Sequence, residues 1–211
     1  MLLISKQVIA TLMSNFAKLF MLLFIGVILT AVCLWLVGGK KQTFDALVSI
    51  DAPPKVVFKY LTDCEQRKRW QIGLRDCRQI SETESFVGSR ATTVLEIDGE
   101  QVEYEEETLR YQENEFLSIR ATGPCEIATT IFRLEAVQGN TNFTYKVKTE
   151  PTGVSRLMAP FAEPKTLERI EEEVLKLKRL VEEENPNDAA SQYNEDPTIS
   201  AGAAEGASVP E

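Results

Sequence analysis

The sequence contains no histidine. This absence removes the commonest general base at neutral pH, the Ser-His-Asp type of catalytic triad and histidine-ligated zinc sites. The sequence also lacks a P-loop, a G-x-G-x-x-G loop and a G-x-S-x-G elbow, so nucleotide-binding and esterase functions have no support. We therefore predict no catalytic residues, no metal site and no cofactor.

Cysteine is scarce, and its spacing is irregular. Cys33 lies in an apolar run, whereas Cys64, Cys77 and Cys125 lie in the more polar remainder and form no C-x-x-C pair. An odd number of cysteines without that spacing favours reduced thiols over a disulfide framework. Reduced thiols are typical of the cytoplasm.

Positive charge is in deficit across the chain. There are 23 lysines and arginines against 32 acidic residues, which gives a formal net charge of −9. Because neutralising phosphates requires a basic face, an anionic domain is a poor partner for nucleic acids. We predict no nucleic-acid partner.

Charge is missing altogether from one long segment, Leu19 to Gly39. As a helix this almost wholly apolar run is about 30 Å long, which matches the core of a bilayer. Lys18 and Lys40 bound it, and Trp35 lies near its second end, where an indole prefers the membrane interface. The run predicts a single-pass transmembrane helix with the bilayer as its partner. The alternative, a cleaved signal peptide, would have a shorter apolar stretch followed by a small-x-small cleavage site.

The orientation of this helix rests on weaker signals. Lysines are almost equally frequent on its two sides, so the positive-inside rule does not decide the orientation. The cysteine pattern then favours a cytoplasmic location for the main domain.

The remainder of the chain divides into a domain and a tail. We predict an N-terminal segment over 1–18, the transmembrane helix over 19–39, one domain over 42–185 and a disordered acidic tail over 186–211. The tail contains scarcely any large apolar residue, so burial cannot offset the entropy that ordering would cost.

Hydrophobic periodicity predicts an α+β domain. Apolar residues alternate from Phe44 to Ile50, which is typical of a half-buried strand. The prolines after Asp51 begin a short helix, and a second short helix follows it and reaches Trp70. The predicted strands that follow are Leu74 to Ile80, Ser89 to Ile97, Gln101 to Arg110, Glu115 to Ala121, Ile127 to Leu134 and Asn142 to Lys148. Their short connections favour an antiparallel sheet.

A final helix is predicted from about Thr166 to Glu184. Its apolar stripe consists of Leu167, Ile170, Val174, Leu177 and Val181. Spacings of three and four place these residues on one face, which we expect to pack on the sheet. A dimeric coiled-coil seam is the alternative, but the stripe is short for that role.

Two motifs carry a resemblance to a known superfamily. The first runs from Val48 to Asp63, in which Ala52-Pro53 precedes a helix of the form V-F-x-x-L-x-D, and Trp70 follows it. The second is Phe132-Arg133-Leu134-Glu135-Ala136 with Gly139-Asn140-Thr141. Together they resemble the START-like, or SRPBCC, superfamily, in particular its polyketide cyclase/dehydrase and lipid-transport branch. The resemblance implies a helix-grip fold, in which a curved antiparallel sheet grips the long terminal helix around a cavity that often holds a hydrophobic ligand.

The resemblance also implies candidate ligand-binding residues. Core or cavity-wall positions are Phe58, Leu61, Trp70, Val94, Tyr104, Phe132, Phe143, Tyr145, Ile170 and Val174. Met158 and Phe161 join them from the apolar stretch 153–161, which we expect to line the cavity mouth and to contact the bilayer. The alternatives are plain core packing for the first group and a loop tucked under the helix terminus for the second.

Charged clusters receive simpler interpretations. The acidic residues from Glu96 to Glu107 are typical of a solvated hairpin, although Glu106 shares the parity of Tyr104 and would need Arg90 or Arg133 as a partner if it pointed inward. The basic run from Arg67 to Arg69 predicts a solvated helix face, with attraction to anionic lipid as the alternative.

These observations predict a membrane-anchored START-like domain that binds a hydrophobic small molecule or lipid between its sheet and its C-terminal helix. Such a domain is a binding protein rather than an enzyme. One alternative is a cyclase/dehydratase-like enzyme, in which cavity carboxylates or Tyr104 and Tyr145 position a polyketide. A second alternative is a membrane-tethered interaction module with a membrane-protein partner.

Overall fold

The computed structural model describes residues 2–97 and 99–186, without the side chains of residues 2–14, 162 and 163. Apart from residue 186, the tail predicted to be disordered therefore lies outside the described residues, as does Asp98 in the acidic hairpin.

The described chain contains four α-helices and seven strands. In chain order they are α1 (Leu2–Gly38), β1 (Gln42–Ile50), α2 (Pro54–Thr62), α3 (Cys64–Trp70), β2 (Leu74–Ser81), β3 (Arg90–Ile97), β4 (Glu100–Gln112), β5 (Phe116–Thr122), β6 (Glu126–Val137), β7 (Asn140–Pro151) and α4 (Ala159–Glu184). A 3₁₀ helix over Gly153–Leu157 separates β7 from α4.

The strands form one antiparallel sheet in the order β1-β7-β6-β5-β4-β3-β2. The first strand returns to pair with the last, from Gln42 opposite Thr149 to Ile50 opposite Thr141. A register shift between Thr108 and Arg110 interrupts the pairing of β4 with β5, and such bulges increase the local bend of a sheet. The sheet and the long terminal helix together form the predicted helix-grip fold.

Helix α4 is longer than its apolar stripe predicts. It begins at Ala159, ahead of the predicted start at Thr166, so part of the stretch predicted to be a loop is helical. Pro160 lies in the first turn, where its missing N–H has no intrahelical partner to lose. The stripe packs across β1 and β7, except that Leu167 remains 39% exposed, contrary to the prediction for that residue.

The core is built around a cluster of aromatic rings. Trp70 is fully buried and packs edge-on against Phe132 and Tyr145, with ring centroids 6.1 Å apart in both pairs. The Trp70 indole N–H donates to the Tyr60 carbonyl oxygen at 2.8 Å, so its one polar atom is satisfied. Removing such side chains from water stabilises the fold by about 1.5–3 kcal/mol each.

Helix α1 projects from the domain. Its segment Asn15–Gly38, with a mean hydropathy of 2.8, is long and apolar enough to cross a membrane. The side chains of this segment are mostly exposed, and the Thr30 hydroxyl donates to the Gly26 carbonyl at 2.9 Å, which satisfies it within the helix. Helix α1 begins well before the predicted span and ends at Gly38, one residue before the predicted end at Gly39.

One prediction about cysteine is wrong. Cys64 and Cys77 form a disulfide, with their Cα atoms 5.5 Å apart, that joins the start of α3 to β2. Cys33 and Cys125 are free. The odd number of cysteines after the apolar run is compatible with one disulfide and one free thiol. The packing of α3 on β2 brings Cys64 and Cys77 together. The cysteines therefore no longer favour a cytoplasmic location for the domain.

Candidate functional site

Two hollows lie between the concave face of the sheet and the helices. The interior cavity, between the sheet, α3 and α4, has a volume of about 80 Å³. The groove, between the sheet and the α2–α3 corner, has a volume of about 530 Å³. Arg67, Glu106 and Ile119 line both hollows, so these three residues form the partition between them.

Arg67 and Glu106 form a buried ion pair in this partition. The guanidinium donates to both carboxylate oxygens, at 2.8 and 2.9 Å, and the Thr93 hydroxyl donates to the same carboxylate at 3.1 Å. Burial alone would raise the pKa of Glu106, but the positive charge and hydrogen bonds of Arg67 outweigh it and lower that pKa. Burial acts against the charged form of Arg67 as well, and Glu106 reverses the effect, so its pKa is raised. The pair is therefore ionised.

A second polar pair lies on the α4 side of the interior cavity. The Tyr145 hydroxyl donates to one oxygen of Glu173 at 3.0 Å, and the Ile72 N–H donates to the other at 3.0 Å. Burial raises the pKa of Glu173 even though Arg169 opposes this effect. Burial and the neighbouring Glu173 raise the pKa of Tyr145 well above its usual value, so the phenol stays a hydrogen-bond donor.

The other end of the interior cavity lies beneath the β5–β6 turn. The Tyr104 hydroxyl donates to Glu126 at 3.3 Å, and burial raises the pKa of this phenol. Gly123 covers the ring of Tyr104 so closely that a Cβ at this position would overlap it. Among the described residues, the buried Nε of Arg169 has no hydrogen-bond partner, although it lies 4.0 Å from Glu173.

The groove has apolar walls and a polar rim. Leu61, Leu117 and Ile119 form its inner wall, and Lys59, Gln79, Glu82 and Arg90 lie along its rim. Its volume falls within the range of roughly 300–1,000 Å³ that is typical of small-molecule sites. The interior cavity falls well below that range and has room only for water-sized or very small groups.

An aromatic pair closes one side of the groove. Phe86, in the loop between β2 and β3, stacks on Tyr111 with ring centroids 4.5 Å apart, and Tyr111 packs edge-on against Phe58 at 5.4 Å. Phe86 has a φ of 61°, a left-handed conformation that is unusual for a bulky residue. The loop therefore holds this ring over the groove at a conformational cost.

The residues predicted to bind ligand fall into four groups. Tyr104, Phe132 and Tyr145 line the interior cavity, and Leu61 lines the groove. Phe58, Trp70, Phe143, Ile170 and Val174 are buried in the core and line neither of these two hollows. Met158 and Phe161 are exposed at the start of α4 and line neither hollow. Val94 lies on the opposite face of β3 from the cavity-lining Thr93 and Leu95, because side chains alternate along a strand.

Sequence reasoning missed most of the polar groups of the site. Glu106 points inward, but its partner is Arg67 rather than Arg90 or Arg133, so the solvated-face interpretation is wrong for Arg67. A usable signal existed for two of these groups. Arg67 precedes the buried Trp70 by three residues, and Glu173 follows Ile170 by three, so each shares a helix face with a core residue.

Comparison with solved structures identifies the same fold. A protein from Thermus thermophilus, TTHA0849, is 17% identical with a TM-score of 0.57, and the match covers 66% of this chain and 97% of that one. A START superfamily protein from Mycobacterium smegmatis is 16% identical with a TM-score of 0.54, covering 67% and 97% of the two chains. The Zhui aromatase/cyclase from Streptomyces sp. R1128 is 11% identical with a TM-score of 0.54, covering 67% and 96%.

Comparison with protein families identifies the group to which the sequence belongs. No curated protein matches this sequence. The family described as polyketide cyclase / dehydrase and lipid transport matches residues 41–182, which include nearly the whole domain after α1. The chain is a member of the polyketide cyclase / dehydrase and lipid transport family.

Proposed function

We propose that this chain is a membrane-anchored binding protein whose groove holds a hydrophobic small molecule or a lipid. The observation that carries this proposal is the groove of about 530 Å³ between the sheet and the α2–α3 corner. Its inner wall of Leu61, Leu117 and Ile119 suits an apolar body, because contact with these side chains removes apolar surface from water. Its rim of Lys59, Glu82 and Arg90 suits a polar end that stays close to solvent.

The ionised Arg67–Glu106 pair closes the inner end of this groove. Because each partner satisfies the other, a ligand can lie against the pair without leaving a buried charge unpaired. The pair also separates the groove from the interior cavity. The proposed ligand body therefore occupies the groove and not the narrow space beside Tyr145 and Glu173. This position differs from the predicted one between the sheet and the C-terminal helix, where the interior cavity is too small.

The apolar helix α1 keeps the domain close to membrane-derived ligands. A domain tethered to a bilayer meets lipophilic molecules at a high effective concentration. The Cys64–Cys77 disulfide favours an oxidising compartment, so we place the domain on the non-cytoplasmic side of the membrane. This orientation replaces the cytoplasmic one that the cysteine count favoured.

Filling the groove tests the proposal. Thr108 lines the groove, whereas the adjacent Glu107 lies on the other face of β4. In Thr108→Trp an indole occupies the space proposed for the ligand, and we expect the fraction of the full chain that carries a co-purified lipophilic molecule to fall about tenfold, which corresponds to about 1.4 kcal/mol. Native mass spectrometry of the detergent-solubilised protein measures this fraction.

The matched control is Glu107→Trp, which adds the same ring to the outer face and should leave ligand occupancy unchanged. Circular dichroism before the mass measurement checks that both variants are folded. Equal occupancy in the two folded variants, or a wild-type protein that carries no lipophilic mass from any host, would contradict the proposal.

The cyclase/dehydratase alternative receives less support. Its best acid–base candidates, Tyr145 and Glu173, line the interior cavity rather than the groove. That cavity, at about 80 Å³, is far smaller than a polyketide chain requires.

A further inference from the structure

The end of helix α1 packs directly against the domain. Gly38 is buried against the backbone of Arg156 in the 3₁₀ helix, and a Cβ at Gly38 would overlap the Arg156 carbonyl oxygen. The Arg156 guanidinium also lies over the ring of Trp35, 5.0 Å from its centroid. The anchor and the domain are therefore in contact and are not joined only by a flexible linker.

The 3₁₀ helix is itself held on the sheet. The Ser155 hydroxyl and the Thr152 N–H both donate to the Cys125 carbonyl oxygen in the β5–β6 turn, the latter at 2.8 Å. Arg156 donates through Nε to the Pro151 carbonyl at 3.2 Å. These bonds fix the segment between the sheet and the end of α1.

Three large apolar side chains are exposed beside this contact. Val154 is 79% exposed, Met158 65% and Phe161 63%. Val154 lies in the 3₁₀ helix, Met158 lies between that helix and α4, and Phe161 lies in the first turn of α4. Leu36 and Val37 in the last turn of α1 are exposed as well. Apolar residues of this size in water cost free energy, and a cluster of them commonly marks a contact surface.

We infer that Val154, Met158 and Phe161 form a membrane foot that inserts into the same bilayer as α1. The inference rests on the proposed membrane anchor. Since the apolar span Asn15–Gly38 ends where the 3₁₀ helix packs on it, these side chains lie at the level where the bilayer surface begins. Trp35 and Arg156 at the same level are residue types that favour the membrane interface.

The membrane foot determines which end of the domain faces lipid. Cys125 in the β5–β6 turn contacts the 3₁₀ helix, and Glu126 follows it with its bond to Tyr104. The Tyr104–Glu126 end of the interior cavity is thus next to the bilayer. Val137, at the opposite end of β6, lies about 36 Å farther along the strand at 3.3 Å per residue.

Labels at single sites test the membrane foot. In a full chain carrying Cys33→Ser and Cys125→Ser, an environment-sensitive fluorophore is attached to Val154→Cys, Met158→Cys or Phe161→Cys, and the protein is reconstituted in vesicles of phosphatidylcholine and phosphatidylglycerol. Lipids that carry a nitroxide near the head group should quench each of these labels several-fold more than a label on Val137→Cys, which is the matched exposed control.

A second pair of variants links the effect to the helix contact. Gly38→Leu forces the 3₁₀ helix away from α1 and should reduce quenching at Phe161→Cys to the level of the Val137→Cys control. Gly26→Leu adds the same side chain to the same helix where a Cβ meets nothing within 4 Å, and quenching should persist.

The outcomes separate the two proposals. Loss of the protein from membranes after an alkaline wash overturns the anchor, whereas retention with equal quenching at all label sites overturns the membrane foot alone. Protection of the Val154→Cys, Met158→Cys and Phe161→Cys labels in native membranes but not in pure lipid vesicles assigns the surface to a protein partner and also overturns the membrane foot.

Discussion

At the scale of single residues, the site depends on a few buried polar groups within an apolar frame. Glu106 lies between glutamates that occupy the other face of β4, and among them it alone forms an ion pair with a guanidinium from α3. Glu173 occupies an apolar helix face and is satisfied by Tyr145 and a backbone N–H. Burial acts to raise the pKa of both carboxyls. Arg67 outweighs it at Glu106, whose pKa is lowered, whereas Arg169, 4.0 Å from Glu173, does not outweigh it there, and that pKa is raised.

Breaking the Arg67–Glu106 pair should be costly. Glu106→Ala leaves the Arg67 guanidinium buried without its partner, and we expect the free energy of unfolding to fall by about 3–5 kcal/mol. Chemical denaturation of the full chain in detergent, followed by circular dichroism, measures this loss.

The double variant Arg67→Met/Glu106→Leu provides the control for this prediction. It removes both charges, so its loss should be smaller than that of Glu106→Ala, and replacement of buried ion pairs by apolar residues is often close to neutral. If the double variant lost as much stability as Arg67→Met and Glu106→Leu lose in sum, the pair would not be coupled and the prediction would be wrong.

The pair also predicts a pH dependence. Because the pKa of Glu106 is lower in the folded than in the unfolded state, its stabilisation is complete above the unfolded value, near 4.5, and is lost as the pH falls through the folded value. The stability of the wild type relative to that of Arg67→Met/Glu106→Leu should therefore fall between pH 7 and pH 3. Parallel stability curves of the two proteins would contradict the ionised state assigned to the pair.

At the scale of elements, α3 is the segment that organises the site. It supplies Arg67 to the partition and Trp70 to the core, and its first residue is bridged to β2 by the Cys64–Cys77 disulfide. Asp63 caps its first turn, accepting from the N–H groups of Glu65 and Gln66 at 2.8 and 3.1 Å. A helix of 7 residues is too short to be stable alone, so these attachments hold it in place.

Removing the bridge should loosen this element. We expect Cys64→Ser/Cys77→Ser to lower the free energy of unfolding by about 2–4 kcal/mol, since the closed loop no longer limits the unfolded chain. Differential scanning fluorimetry should show a lower Tm, and addition of a reductant to the wild type should reproduce the shift. Cys125→Ser removes a free exposed thiol and should leave the Tm unchanged. The same Tm in the wild type and both variants would mean that the bridge does not stabilise α3.

At the scale of the whole molecule, the chain combines an apolar helix long enough to cross a membrane with a domain of the polyketide cyclase / dehydrase and lipid transport family. Helix α1 ends at Gly38 and strand β1 begins at Gln42, so only a short connection separates the span from the sheet. The packing of Gly38 on Arg156 underlies the proposed position of the domain at the membrane, and the disulfide underlies the proposed side.

Several features follow from the sequence by itself. The apolar run after Lys18, the alternation from Phe44 to Ile50 and the stripe from Ile170 to Val181 are local patterns of composition and periodicity. They predict a long apolar helix, a strand and a packed helix, all of which the structure contains. The motif from Val48 to Asp63 indicates the family because its residues resemble the family's pattern, and it spans only the consecutive elements β1 and α2. Each of the other three signals lies within one element.

Only the tertiary structure decided which residues meet across elements. Arg67 forms an ion pair with Glu106, Cys64 forms a disulfide with Cys77, and Gly38 packs on Arg156. The two partners in each pair lie on different elements. Likewise, packing closed the interior beside Trp70 and left a groove beside Leu61, because cavity volume depends on how side chains from several elements interlock and not on the pattern of any one of them.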